Sequence, residues 1–129
     1  MGGCLSLLTA VLGTPWAPDL RDPILFVEDI NEPAYKVDRM LTHLRLSGTL
    51  DGVRAIVAGH FGADWERGLA GPETGATTEP AGHWQLESLL ELPGALAFGL
   101  PVGHGVPNLT LPLGAAARLD AERGQLVYL

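Results

Sequence analysis

Short apolar runs alternate with stretches rich in Gly, Pro and polar residues along the first half of the chain. Residues 5–12 are apolar except for two hydroxyl side chains, and Gly13 and Pro15 follow, which predicts a short buried helix. Residues 24–27 form a β-branched and aromatic run that is too short for a helix, so we expect a buried strand there. A second buried strand is predicted over residues 53–58.

The most regular pattern lies over residues 33–47, where apolar side chains recur at helical spacing. The i, i+3, i+4, i+7 positions of one buried helix face are occupied by Val37, Met40, Leu41 and Leu44. Asn31 is a candidate cap for the start of this helix. Gly48 stands where a left-handed residue commonly ends a helix. The pattern therefore predicts an amphipathic helix with a defined end.

The second half of the chain has less periodicity and more turns. Residues 63–82 combine Gly, Pro, Thr and charged residues, which predicts a long mobile loop, and residues 84–92 predict a short helix. Short strands are then predicted over residues 95–98, 108–111, 116–119 and 125–128, with a turn region at 120–124 joining the last two. This order of elements predicts one α/β domain with mixed strand directions.

Composition and charge narrow the class of protein. The 129 residues are 47% hydrophobic, which suits one globular domain with its own core. The net charge is −7, from 15 acidic and 8 basic residues, and no basic stripe is present, so nucleic acid is not an expected partner. No apolar run is long enough to cross a membrane, and no basic segment marks a secretory signal. Cys4 is the single cysteine, which excludes an internal disulfide and suits a cytoplasmic location.

His104 is the first candidate for chemistry, because it lies between two glycines in the Gly- and Pro-rich loop of residues 103–108. Glycines let a backbone and a ligand approach closely, and an imidazole can act as acid or base near neutral pH. Glu28 follows the predicted strand at 24–27, at the carboxyl end where ligands collect in open α/β sheets. A carboxylate there could orient an imidazole. The ordinary alternatives are a solvated acid and an exposed histidine.

The remaining candidates are weaker. His43 falls on the polar side of the predicted helix, His60 follows a strand, and His83 begins a predicted helix. No histidine pair has metal-ligand spacing, and one cysteine cannot form a thiolate zinc site. Cys4 precedes a helix and is conceivable as a nucleophile beside His104, whereas a half-buried structural thiol is the ordinary interpretation.

Two well-known motifs are missing from the chain. No serine stands in a Gly-x-Ser-x-Gly nucleophile elbow. No glycine-rich stretch matches a phosphate-binding loop or a dinucleotide fingerprint, so no nucleotide cofactor is expected. The residues alone thus offer an acid and a base without a convincing nucleophile.

Taken in order, several segments resemble the LD-carboxypeptidase family of serine peptidases, which includes muramoyl-tetrapeptide carboxypeptidases and microcin-immunity proteins. The resemblance covers almost the whole chain, but only the C-terminal half of family members. The matching segments are residues 2–8 (Gly-Gly-Cys-Leu-Ser-Leu-Leu), 13–16 (Gly-Thr-Pro-Trp), 24–32 (Ile-Leu-Phe-Val-Glu-Asp-Ile-Asn-Glu), 38–41 (Asp-Arg-Met-Leu), 103–105 (Gly-His-Gly) and 109–114 (Leu-Thr-Leu-Pro-Leu-Gly).

The resemblance implies that residues 1–129 are the C-terminal domain, a swivelling β/β/α domain with a mixed sheet. The family's N-terminal flavodoxin-like domain, which carries the nucleophilic serine, is then missing from the chain. By motif, the glutamate of the family's Ser-His-Glu triad falls on Glu28 and its histidine on His104. Two features depart from the family pattern. Cys4 stands where the family usually has asparagine, and the loop at 64–82 is long and Gly-rich.

The activity that the resemblance implies is cleavage of an L,D-amide, releasing the terminal D-alanine of murein tetrapeptide during cytoplasmic peptidoglycan recycling, without metal or cofactor. The chain would supply the acid and the base and would be inactive alone. Three alternatives stay open: a non-catalytic peptide-binding or interaction module of the same fold, half of a microcin-like aminoacyl-nucleotide amidase, and a hydrolase built on Cys4 and His104. Expected partners are the murein peptide, the missing N-terminal domain and a second copy in a dimer, since an isolated half should expose an apolar face.

Overall fold

The computed structural model describes residues 1–62 and 94–129. In these ranges the chain forms, in order, β1 (Gly2–Cys4), α1 (Leu5–Ala10), β2 (Ile24–Glu28), α2 (Ala34–Leu46), β3 (Ala55–Ala58), β4 (Ala95–Ala97), β5 (Ala117–Asp120) and β6 (Gln125–Tyr128). The predicted α/β class with mixed strand directions is confirmed. The two directions are divided between a parallel sheet of order β1-β2-β3-β4 and a separate antiparallel pair, β5-β6.

One face of the parallel sheet carries the core. Leu25 pairs with Ile56 and Val27 with Ala58 across β2 and β3, so their side chains lie on the same face. The helices cover this face with three buried leucines and one buried valine of α1 and α2, namely Leu5, Leu41, Leu44 and Val37. Because the two central strands are covered on both sides, they do not alternate apolar and polar residues and are apolar except for Glu28 at the end of β2.

The opposite face of the sheet lies against the chain that leads into β5 and β6. Phe26, Val57 and Ala95 point to this side and line a cavity of about 660 Å³, whose other wall includes Leu119 and Leu126. The antiparallel pair therefore shields the second face of the sheet without closing it completely. Among the described residues, no helix has the length and apolar character needed to cross a membrane.

Strand β1 is an element that the sequence pattern missed. Gly2-Gly3-Cys4 has none of the β-branched or aromatic residues that favour strands, so only its pairing with β2 makes it a strand. A Cβ built on Gly2 would lie 1.9 Å from the carbonyl oxygen of Phe26, so a residue with any side chain would push the two strands apart. The glycine allows this close approach at the sheet edge.

Two predictions from the sequence are wrong. Residues 108–111 form no strand, because they bond to the chain just before them instead of pairing with another strand. The Leu109 N–H donates to the Pro101 carbonyl, and the Asn108 side chain accepts from the Gly103 N–H. Asn31 does not cap α2, because it lies at φ +52° and the helix begins after Pro33 with no side-chain cap. The predicted loop at 63–82 and helix at 84–92 lie outside the described residues.

The predicted end of the long helix is confirmed. Gly48 has φ +73°, and its N–H donates to the Arg45 carbonyl at 3.0 Å. The next N–H, of Thr49, donates to the Leu44 carbonyl at 3.2 Å. These two bonds form the Schellman motif, which satisfies carbonyls that the last helical turn would leave unpaired.

Replacing Gly48 with alanine should lower the free energy of unfolding by about 1–2 kcal/mol, because an L side chain is disfavoured at this positive φ. Gly48→Asn should lose roughly half of that, since asparagine tolerates the left-handed region better. Urea unfolding followed by circular dichroism measures both values. Equal stability of the alanine variant and the original chain would contradict the assigned helix end.

Candidate active site

The carboxyl ends of the four parallel strands meet at one edge of the sheet, and the candidate residues lie there. β2 ends at Glu28, and the chain after β3 continues through His60, whose N–H donates to the Val102 carbonyl at 3.0 Å. His60 and Gly103 form a parallel bridge that extends the sheet past β4. His104 thus emerges from the extended sheet edge beside Glu28, as expected for a ligand site in an open α/β sheet.

Glu28 and His104, 76 positions apart in sequence, are joined by a short hydrogen bond. The Nδ1 of His104 lies 2.6 Å from Oε2 of Glu28. The carboxylate is buried, with 8% of its side chain exposed, whereas 45% of the imidazole is exposed. Hydrogen bonds to a charged acceptor are shorter and stronger than neutral ones. When Nδ1 carries the proton and donates it to this bond, the neutral ring keeps Nε2 as an acceptor.

The two positions that flank His104 require glycine because each lies against a different neighbouring side chain. Gly103 has φ +106°, and a Cβ there would lie 2.7 Å from Oε2 of Glu28 and 2.9 Å from its Cβ. A Cβ on Gly105 would lie 2.4 Å from the imidazole of His60. The loop backbone therefore lies directly on the glutamate and on the end of β3, and only glycine leaves the space for it.

Asp29, next to Glu28, is a buried acid that the sequence patterns did not single out. Its side chain is 1% exposed. One carboxylate oxygen accepts the Ser6 N–H at 2.7 Å, and the other accepts the Ile30 N–H at 2.9 Å. Its own N–H donates to the His60 carbonyl at 3.2 Å. The only sequence signal was an acid directly after a strand, which is not distinguishable from a solvated turn residue.

The other candidate residues take no part in the hydrogen bond between Glu28 and His104. The Sγ of Cys4 lies 3.1 Å from the Ser6 hydroxyl and donates to Asp29 at 3.4 Å, and neither of these contacts involves His104. His43 is exposed on α2, as its polar helix face predicted, and His83 lies outside the described residues. Within residues 1–62 and 94–129, no group of three or more His, Cys, Asp or Glu side chains could hold a metal ion.

Comparison with known proteins identifies the family. A family model described as the LD-carboxypeptidase C-terminal domain matches residues 1–119. The murein tetrapeptide carboxypeptidase of Pseudomonas aeruginosa is 32% identical over 126 residues, covering 95% of this chain and 38% of that protein. The microcin C7 self-immunity protein MccF of Escherichia coli is 31% identical over 123 residues, covering 95% of this chain and 33% of that protein.

Solved structures agree with these sequence matches. The crystal structure of muramoyltetrapeptide carboxypeptidase from Oxalobacter formigenes superposes with a TM-score of 0.75 at 38% identity, covering 97% of this chain and 42% of that one. MccF in complex with glutamyl sulfamoyl guanosine gives a TM-score of 0.75 at 30% identity, covering 98% of this chain and 36% of that one. The chain thus spans about two-fifths of the length of the relatives that it matches. It belongs to the LD-carboxypeptidase family, and it corresponds to the family's C-terminal domain.

Proposed function

We propose that this chain supplies the acid and the base of a serine LD-carboxypeptidase, with Glu28 and His104 acting on a serine contributed by an N-terminal domain. The observation that carries the proposal is the 2.6 Å hydrogen bond between His104 Nδ1 and Glu28 Oε2 at the carboxyl edge of the sheet. A buried carboxylate that holds an imidazole in one tautomer is the arrangement that acyl-transfer triads use. The proposed substrate is murein tetrapeptide, which the names of two similar proteins support.

The proposed triad takes its nucleophile from a second domain. The bond to Glu28 occupies Nδ1 of His104, so a nucleophile would have to approach Nε2. Related proteins are more than twice as long as this chain, which leaves room for a further domain. A serine approaching Nε2 of the half-exposed imidazole would complete the Ser-His-Glu triad.

The proposed reaction has two halves. The serine hydroxyl attacks the carbonyl carbon of the L,D-amide while Nε2 of His104 takes its proton, and Glu28 stays ionised and stabilises the imidazolium. Collapse of the tetrahedral intermediate breaks the C–N bond, and His104 returns the proton to the amine of the departing D-alanine. Water then attacks the acyl-enzyme in the same way and frees the shortened peptide.

A microcin-like aminoacyl-nucleotide amidase is the second candidate. The likeness to MccF, whose solved structures include a complex with aspartyl sulfamoyl adenosine, favours it. The Glu28–His104 pair would serve either amide equally, because both reactions are acyl transfers to serine. A non-catalytic module would not need the two side chains to meet, so their short hydrogen bond supports the catalytic alternatives.

The proposal also includes a cytoplasmic dimer acting in peptidoglycan recycling. Several large apolar side chains of the described residues are exposed, including Trp16 at 83% and Val106 at 96%. Two of the exposed side chains are close to the pair in sequence, since Ile30 and Val106 stand two positions after Glu28 and His104. Exposed apolar patches commonly mark surfaces that another domain or subunit covers.

The experiment is an assay of D-alanine release from L-Ala-γ-D-Glu-diaminopimelate-D-Ala. We expect no release by the 129-residue chain and release by the full product of its gene. An aminoacyl sulfamoyl adenosine, assayed in parallel, separates the second candidate, and light scattering of the same preparation measures the dimer. Hydrolysis by the 129-residue chain alone, or of neither substrate by the full gene product, would overturn the proposed function.

A further inference from the structure

We propose that Asp29 is a positioning residue, which holds the end of β2 so that the carboxylate of Glu28 meets His104. The inference rests on the proposed function of that pair and assigns a new role to its neighbour. Asp29 is a buried carboxylate that the proposed reaction does not use. Buried charges are retained in proteins only where hydrogen bonds compensate them, so its partners indicate what it does.

The side chain of Asp29 joins β2 to the start of α1. Cys4 is the N-cap residue of α1 and makes no side-chain cap, so the early N–H groups of the helix need another acceptor. Oδ2 of Asp29 supplies it, accepting the Ser6 N–H at 2.7 Å. The other oxygen, Oδ1, accepts from the Ile30 N–H and from the Cys4 thiol. The carboxylate therefore caps the helix from a different element.

The backbone of Asp29 is held as well. Its N–H donates to the His60 carbonyl at 3.2 Å, while the preceding Val27 carbonyl accepts from Gly59 at 2.8 Å. Side chains alternate between the faces of an extended chain, so Asp29 points to the helices while Glu28 points to the opposite face, with Phe26. Rotation of the backbone at Glu28 would break the bonds of Asp29 on the other face.

The Glu28–His104 pair has little room for such a rotation. The two side chains are 2.6 Å apart, and Gly103 lies so close to Glu28 that a single added Cβ would come within 2.7 Å of the carboxylate. A displacement of about 1 Å at a reacting group can cost on the order of 100-fold in rate. Asp29 thus acts on the reaction through the orientation of Glu28 and does not contact the substrate.

The first test measures the imidazole itself in the 129-residue chain. Ring ¹⁵N chemical shifts of His104 report which nitrogen carries the proton. In Asp29→Leu, which removes both acceptor oxygens, the fraction of neutral rings protonated at Nδ1 should fall by about half. Asp29→Asn, which keeps one acceptor for Ser6, should lie between that variant and the original chain. Asp51→Asn, an exposed acid beyond α2, is the matched control and should leave the shifts unchanged.

The second test measures D-alanine release by the full gene product. Asp29→Leu should lower kcat about tenfold with KM unchanged, and Asp29→Asn should restore part of the loss. Should Asp29→Leu fail to fold, Asp29→Asn decides the question by its ring shifts. Unchanged His104 shifts in the folded variants would overturn the positioning role. If the full gene product hydrolyses neither the tetrapeptide nor the aminoacyl sulfamoyl adenosine, the proposed function fails, while the shifts still test the positioning of Glu28.

Discussion

Alanine at position 104 should reduce kcat for D-alanine release by roughly 10⁶-fold in the full gene product, and Glu28→Gln should reduce it by about 10⁴-fold. Without the imidazole, nothing takes the serine proton or returns it to the leaving amine. With glutamine at position 28, the Nδ1–H loses its charged acceptor, so the ring can turn to the wrong tautomer. The two losses of kcat differ because the histidine transfers the proton, whereas the glutamate only orients the imidazole and stabilises its protonated form.

Steady-state kinetics with murein tetrapeptide measures both variants, and KM should change little because neither side chain is assigned to substrate binding. Glu122→Gln is the matched control, since Glu122 is exposed in the turn between β5 and β6. Near-full activity in His104→Ala would remove the histidine from the mechanism. A loss in Glu122→Gln as large as in Glu28→Gln would mean that the assay reports folding rather than chemistry.

Adding one methyl group at Gly103 should lower kcat by about 100-fold through displacement of Glu28. The new Cβ would lie 2.7 Å from Oε2 and 2.9 Å from Cβ of Glu28, both closer than real Cβ contacts. The loop or the glutamate must therefore move, and the 2.6 Å bond to His104 cannot survive unchanged. The variant also bears the conformational cost of φ +106°.

Gly114→Ala separates the cost of a positive φ from the effect of contact with Glu28. Gly114 has φ +87°, but a Cβ there would meet no heavy atom within 4 Å. Gly114→Ala should thus lose about 1–2 kcal/mol of unfolding free energy from the positive φ alone, Gly103→Ala should lose more because of its contact with Glu28, and only Gly103→Ala should lose activity. Urea unfolding and tetrapeptide kinetics, measured on the same preparations, give the two quantities. An equal fall of kcat in both variants would contradict the close packing of the loop on Glu28.

The regular elements of the fold were predictable because their signals are local. The apolar run at 24–27 and the helical spacing from Val37 to Leu44 each lie within one element, and both elements are present as β2 and α2. β1 was not predictable, because Gly2-Gly3-Cys4 becomes a strand only by pairing with β2. The strand predicted at 108–111 was wrong because the Leu109 N–H bonds to the Pro101 carbonyl and the Asn108 side chain to the Gly103 N–H instead. Pairing and loop closure join distant parts of the chain, which periodicity does not record.

The candidate site likewise has residues that the sequence marks and residues that only the fold reveals. The positions of Glu28 after an apolar run and of His104 between two glycines mark both residues in the sequence, and the family resemblance names them together. Asp29 was overlooked, because its burial depends on α1 being laid against the end of β2. His60 was noted only as a residue after a strand, and its contact with the Gly105 backbone arises from the extension of the sheet past β4.

By itself, the sequence determined the α/β class, the central helix and strands, and the residue types available for acid–base chemistry. Periodicity and side-chain chemistry are properties of neighbouring residues, so no knowledge of distant contacts is needed to predict them. Only the tertiary structure decided that Glu28 and His104 meet, that Glu28 is buried while the imidazole stays half exposed, and that Asp29 accepts the Ser6 N–H at the end of β2. The physical reason is distance along the chain. The pair is 76 positions apart, and parallel pairing of β2, β3 and β4 is what brings those positions to one edge of the sheet.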